Sequence, residues 1–227
     1  MATYVQYGCG LSCPDGWINF DASPTLRLQR LALVGLLFRR GGTIFPDNVR
    51  YGDILAGLPV ADGSADGVYA SHVVEHLSYE DFWTALGNTF RLLKPGGLFR
   101  LVVPDLEVRA RSYIDKLRQG DPDGNSWFMR SSLLGAESRS RGPVALLRSA
   151  FGHNAHLWMW DEASMAAALR KAGFIEVRRC SFNDSADAAF RLVEEESRFR
   201  DPATGLEECA MEARKPASWN RFFNLQD

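Results

Sequence analysis

The sequence predicts an α/β fold, and two observations predict it. Short apolar, strand-like runs alternate along the chain with longer helix-like patterns, the signature of helices layered on a sheet. Polar residues also stand at the ends of successive strand-like runs: Asp21, Asp53 and the pair Ser71-His72. In a doubly wound parallel sheet such ends share one edge, where ligands bind at the topological switch point. With 227 residues, 46% of them hydrophobic and 24% charged, the chain can bury one sizeable core.

Each element follows from local chemistry. "TYVQY" (3–7) reads as a strand ending at Gly8, and "WINF" (17–20) as a second ending at Asp21. Residues 24–40 carry a helical pattern opened by Pro24 and closed by Gly41-Gly42. "VRY" (49–51) runs into Gly52-Asp53, and "GVYAS" (67–71) leads into "HVVEHL". Ser78-x-x-Asp81 resembles a capping box and opens a helix through Phe82, Trp83, Leu86, Phe90 and Leu93. "KPGG" (94–97) stops it, and "LFRLVV" (98–103) is a buried strand ending at Pro104-Asp105. Residues 106–160 are helical but irregular, broken by "GDPDGNS" and "SRSRGP". So long a segment after a central strand predicts a substrate-binding lid. A helix over 162–174 and two closing strands, "EVRRCSF" and "LEECAMEARK", complete the chain. No repeat or linker divides it, so residues 1–227 read as a single domain.

Composition excludes several classes. A net charge of −2 and a pI near 6.1 leave no electrostatic footprint for nucleic acid. Four cysteines imply no disulfide framework. No secretory signal pattern opens the sequence, and the longest apolar stretch, 31–38, is far below the roughly 20 residues that span a bilayer. The expectation is a cytoplasmic protein without stable membrane insertion, its oligomeric state open.

The stretch "YGCGLSCPDGWINFD" (7–21) admits three readings. Cys9 and Cys13 offer two thiolates where a structural zinc needs four ligands. As a nucleotide loop, Gly8 and Gly10 follow a strand and Asp21 tips the next, but the glycine-to-acid spacing is 13 positions against about 20 in the dinucleotide fingerprint. A plain tight turn remains open. The ordered set, with an acid at 21 for a ribose and one at 53 beside an adenine, points to an adenosine-containing ligand.

Five blocks carry a resemblance: "YGCG…GWINFDASP", "YGDILAGLPVADGSADGVYASHVVEHLS", "RLLKPGGLFRLVVPDLE", "HLWMWDEASMAAALRKAGF" and "EARKP". In this order they resemble class I S-adenosylmethionine-dependent methyltransferases, more closely a bacterial group of methyltransferase type 11-like proteins. The resemblance implies a Rossmann-like, mostly parallel seven-strand sheet with an antiparallel last-strand hairpin and S-adenosylmethionine as cofactor. It implies that Gly8 and Gly10 face the methionine part and that Asp21 binds the ribose. Asp53 and Ile54 would border the adenine, and Ser71 and His72 would lie near the sulfonium. The chain departs from the family twice: Gln6 stands where most members have an acid, and the first crossover lacks its helix.

"HVVEH" (72–76) also fits H-x-x-E-H, an inverted zinc-peptidase signature, if it lies on a helix. A divalent ion held by His72, Glu75 and His76 with His153 or His156 is a second reading. The favoured one has no metal, with Glu75 and His76 bonded locally at a helix start. His72 and then His156 are the catalytic candidates, because a neutral imidazole accepts a hydroxyl proton near pH 7. Trp127, Phe128, Trp158 and Trp160 are candidates for apolar pocket walls. No Asn/Asp-Pro-Pro-aromatic tetrapeptide follows the fourth strand, which argues against the amino-methylating enzymes of the class. The reading is therefore methyl transfer to a small molecule or glycan, at oxygen. Its rivals are a methyltransferase fold that binds without turnover and a metal-dependent hydrolase.

Overall fold

The computed structural model describes residues 2–30, 44–135 and 155–218. The strands are β1 (Tyr4–Tyr7), β2 (Trp17–Asp21), β3 (Val49–Tyr51), β4 (Ala65–Ser71), β5 (Leu93–Val103), β6 (Ile175–Arg179) and β7 (Cys209–Arg214). They form one sheet in the order β3-β2-β1-β4-β5-β7-β6. All neighbours from β3 to β5 pair in parallel, and β7 is inserted antiparallel between β5 and β6. The chain leaves β1 towards β2 and β3, then returns to place β4 on the other side of β1. The switch point therefore lies between the carboxyl ends of β1 and β4.

Helices form where the caps direct. In α1 (Pro24–Gln29) Ser23 caps the start and Pro24 occupies the first turn. In α2 (Tyr79–Leu92) the Ser78 hydroxyl accepts from the Asp81 N–H at 3.1 Å. Asp105 caps α3 (Leu106–Arg118), which is followed by α4 (Gly124–Ser131). Asp161 and Ser164 form a reciprocal capping box on α5 (Glu162–Lys171). A short α6 covers Glu196–Phe199. The part of the expected 24–40 helix beyond residue 30, and residues 136–154 of the expected lid, lie outside the described residues.

Two expectations need adjustment. "KPGG" does not separate helix from strand: β5 starts at Leu93, directly after α2, and Gly96 takes a φ of +81° within it. "HVVEH" is not a helix either. One 3-10 turn covers Val74–His76, and His72 takes a left-handed φ of +54°. His72 and His76 therefore do not share a helical face, and the hydrolase geometry does not form.

Alternation along the strands gives each sheet face its own core. Val68, Ala70, Phe99, Leu101 and Val103 face α2 and α5 with Phe82, Leu86, Met165 and Leu169. Tyr69, Leu98 and Val102 face the other way, against Phe190, Val193 and Phe199. That second face is covered by the connection between β6 and β7, which carries a 3-10 turn (Ala188–Leu192) and α6. Arg100, fully buried on this face, anchors the connection through Glu194, Asp184 and the Ser181 carbonyl.

Candidate functional site

The link from β1 to β2, residues 8–16, contains no helix and depends on side chains for its shape. Gln6 supplies two of the bonds: its amide N–H groups donate to the Asn19 side chain at 2.9 Å and to the Ser12 carbonyl. A carboxylate at this position could accept but not donate, so it could not close the loop this way. The amide at position 6 goes with the shortened crossover.

Gly8 and Gly10 both adopt left-handed backbone, at φ +65° and +54°. A Cβ on Gly8 would come within 2.3 Å of Val73 Cγ2, whereas one on Gly10 would meet nothing within 4 Å. The Asp21 carboxylate accepts from the Gly10 N–H at 3.0 Å and the Ser23 N–H at 2.8 Å. Each oxygen keeps a second lone pair. Burial pushes the Cys9 thiol up to about 12 and also raises Cys13, which disfavours the thiolates that a zinc knuckle needs. At the next strand tip, Asp53 accepts from the Leu55 N–H at 2.9 Å. The Ile54 side chain is part of the core, and its carbonyl accepts from Asn88 at 2.6 Å.

Ser71 ends β4 with its hydroxyl buried and without a hydrogen-bond partner. Beside it, His72 is held at both ring nitrogens. Nε2 donates to the Arg198 carbonyl at 3.0 Å, and Nδ1 lies 3.3 Å from Glu75 Oε1. Burial works to lower the His72 pKa, but Glu75, the Arg198 carbonyl and Glu208 outweigh it and raise it. His156 is buried on the loop that leads to α5; burial and the nearby His76 lower its pKa against the pull of Glu75. His153 lies outside the described residues.

Two cavities meet here. A narrow one of about 20 Å³ lies at the switch point, lined by Gly8, Tyr69 and Ser71 and closed by Val193, Glu195 and Arg198. It has room for about one water. A wide one of about 930 Å³ is lined by His72, Arg109, Trp127, His156 and Asp201. Glu195 and Arg198 line both, forming a shared wall. Of the four aromatics singled out from the sequence, Trp127 lines the wide cavity. Phe128 packs against Tyr113, Trp158 against Tyr79, and Trp160 against Phe82. The wall residues Glu195 and Arg198 were not singled out, because nothing local marks residues 193–198 as crossing the sheet edge. Arg109 was missed too; its guanidinium is spanned by Glu208, with bonds of 2.8 and 2.9 Å, and it forms the floor.

Residues 32–101 match the family model described as a methyltransferase domain. The match covers 70 of the 227 residues. The chain is similar to that family over this stretch, and its seven-strand sheet is Rossmann-like, mostly parallel with antiparallel last strands. No curated protein matches the sequence significantly. Among solved structures, a methyltransferase dependent on S-adenosylmethionine from Archaeoglobus fulgidus is 17% identical, with 94% of this chain and 86% of that chain covered at a TM-score of 0.48. One from Thermotoga maritima is 17% identical, with coverages of 95% and 82% and a TM-score of 0.48. The Burkholderia thailandensis 1,6-didemethyltoxoflavin-N1-methyltransferase, with its substrate and S-adenosylhomocysteine bound, is 17% identical, with coverages of 95% and 72% and a TM-score of 0.44. No helix among the described residues is long and apolar enough to cross a membrane.

Proposed function

We propose that the protein is a class I methyltransferase that uses S-adenosylmethionine to methylate a hydroxyl group of a small molecule or glycan, the acceptor taken up in the wide cavity and the cofactor held at the switch point. The observation that carries the reading is the shared wall. Gly8 and Ser71 line one side of it and His72 and His156 the other, so donor and acceptor spaces adjoin.

The residues at the switch point suit the cofactor chemically. Ser71 presents an unpartnered buried hydroxyl, Gly10 leaves open space, and Asp21 retains lone pairs for ribose hydroxyls. Gly8 and Gly10 would bring backbone against the methionine part, with Asp53 and Ile54 at the adenine. The bound cofactor would supply an electrophilic methyl group at its sulfonium. The protein's part is to align the acceptor with it and remove the hydroxyl proton. His72 is the proposed base and His156 the second candidate. For His72 to accept a proton, Nε2 must first leave the Arg198 carbonyl and lose its own proton. Residues 106–160 are proposed as the lid; α3 and α4 contribute Arg109, Lys116 and Trp127 to the cavity wall.

One observation favours a second reading, a fold that binds without turnover: at about 20 Å³ the switch-point cavity admits no cofactor until residues 193–198 move. Calorimetry of the intact protein with S-adenosylhomocysteine, followed by a panel of sugars and phenols scored by S-adenosylhomocysteine release, separates the two. Binding at one site with turnover of a hydroxyl acceptor is the expected result. Binding without turnover of any acceptor supports the second reading, and no binding by folded protein overturns both. Turnover of amines or carboxylates alone would remove the hydroxyl assignment and leave methyl transfer standing.

A further inference from the structure

Glu75 is fully buried, and neither of its carboxylate oxygens has a hydrogen-bond partner. A buried carboxylate in that state calls for a compensating positive charge. His72 approaches one oxygen at 3.3 Å. On another side stand His76 and His156, and one donor atom from each of Glu75, His76 and His156 lies within 4.8 Å of the other two. Ligand atoms sit about 2.0–2.2 Å from a zinc ion, so a shift of about an ångström or less at each residue brings all three onto one ion.

The arrangement is built rather than incidental. The Leu157 and Trp158 N–H groups both donate to the Glu75 carbonyl, at 2.8 and 3.2 Å, and the His156 N–H donates to the Leu133 carbonyl at 3.2 Å. These bonds pin the His156 loop against the turn that carries Glu75 and His76. His76 Nδ1 donates to the Ala155 carbonyl at 3.1 Å, which leaves the Nε2 lone pair free. A second hydrogen bond of this kind orients most metal-bound histidines. His156 has Met159 Sδ 3.2 Å from Nδ1, and the Ser132 carbonyl as a backbone partner. Whichever nitrogen carries its proton, the neutral ring keeps one lone pair.

We propose that Glu75, His76 and His156 form a binding site for a divalent transition-metal ion. Two imidazoles and one carboxylate suit zinc and its first-row neighbours, whereas magnesium and calcium favour all-oxygen sets. Three protein ligands leave coordination positions open. His156 also lines the wide cavity, so the ion sits at its wall. The sequence favoured no metal and held a divalent ion on His72, Glu75 and His76 with His153 or His156 as its second reading; the proposed site takes Glu75, His76 and His156 from that set. It stands independently of the methyl acceptor and of the cofactor.

The test uses intact protein stripped with a chelator and titrated with zinc chloride by calorimetry, with elemental analysis after gel filtration. Cobalt(II) serves as a spectroscopic probe of nitrogen and oxygen ligation. One equivalent of zinc is expected, weakened more than about 100-fold in His156→Ala and again in His76→Gln. Two variants on separate segments keep the result readable if one fails to fold. Less than half an equivalent of zinc on folded wild-type protein would overturn the site. So would undiminished binding in the folded variants. The readout needs neither methyl donor nor acceptor, so its failure is distinct from failure of the methyl-transfer reading.

Discussion

The Nε2 atom of His72 lies 3.0 Å from the carbonyl oxygen of Arg198, and this bond ties the end of β4 to the connection between β6 and β7. Arg198 also lines both cavities, so the bond acts on the wall between them. His72 has a left-handed φ of +54°, which turns the chain sharply out of the strand and sets the ring against α6. The residue proposed as base is thus also the latch on the segment that closes the switch point.

Removing the latch should loosen the wall. His72→Ala deletes one hydrogen bond, worth about 0.5–1.5 kcal/mol, so local opening of residues 193–200 should become about 2–10 times more frequent. Hydrogen–deuterium exchange by mass spectrometry reads this directly. Unchanged exchange across 193–200 would show that Arg100 and Val193 hold the wall without His72.

Asp21 offers a test of the cofactor reading. Asp21→Ala removes an acceptor proposed to take ribose hydroxyls, and a charge-assisted hydrogen bond is worth about 1.5–3 kcal/mol. Affinity for S-adenosylhomocysteine should fall roughly 10- to 150-fold in calorimetry. Because the same carboxylate caps the Gly10 and Ser23 N–H groups, a melting curve must accompany the measurement. Full affinity in the folded variant would remove Asp21 from the cofactor site.

How much of this was legible in the sequence depends on the range of the interactions. Asp21, Asp53 and Ser71 could be placed at strand ends because alternation and turn residues are local signals. The cap at Ser78 was legible for the same reason. Gln6 looked like a departure from the family until its amide was seen bridging Asn19 and Ser12. Arg198 and Glu195 were not legible, since their place depends on a long connection crossing a sheet face. The sequence named His156 beside His153 as a possible partner of Glu75, but choosing between them depends on tertiary contacts between distant segments, for which periodicity carries no signal.

The buried Arg100 should control that crossing. Its guanidinium bonds Glu194 at 2.7 Å, Glu212 at 2.7 Å and Asp184 at 3.0 Å. Arg100→Met leaves Glu194 and Glu212 uncompensated, and breaking such a buried pair costs about 3–5 kcal/mol. A fall in denaturation midpoint by an amount of that order is expected in urea, with the m-value unchanged.

The same cluster predicts an acid sensitivity. Burial works to raise the Asp184 carboxyl, but Arg178, the Ser181 N–H and Arg100 outweigh it and hold the pKa at about 2. A depressed carboxylate contributes stability above its unfolded pKa of about 3.9 and loses it as pH falls towards the folded value. Glu194 acts in the opposite sense: burial raises its pKa against the Asn183 N–H and Arg100, so it costs stability as pH rises through its folded pKa. Comparing wild type with Asp184→Asn isolates the first effect. The variant should lose less stability than wild type between pH 4 and pH 2, and equal losses would place the acid sensitivity elsewhere.

The two glycines of the first loop should separate folding from binding. Both adopt left-handed backbone, so alanine at either costs about 1–2 kcal/mol of conformational strain. Gly8→Ala also drives its Cβ to 2.3 Å from Val73 Cγ2, which requires β1 or the turn after β4 to shift. Its melting temperature should therefore fall further than that of Gly10→Ala, and Val73→Ala should recover part of the difference. Gly10→Ala meets no protein atom within 4 Å, so its added methyl group occupies space reserved, on the proposed reading, for the cofactor. Gly10→Ala should accordingly lose more S-adenosylhomocysteine affinity than its modest loss of stability explains. If its affinity were intact while Gly8→Ala lost both, Gly10 would be a turn residue facing solvent, and the methionine part of the cofactor would have to lie on the Gly8 side alone.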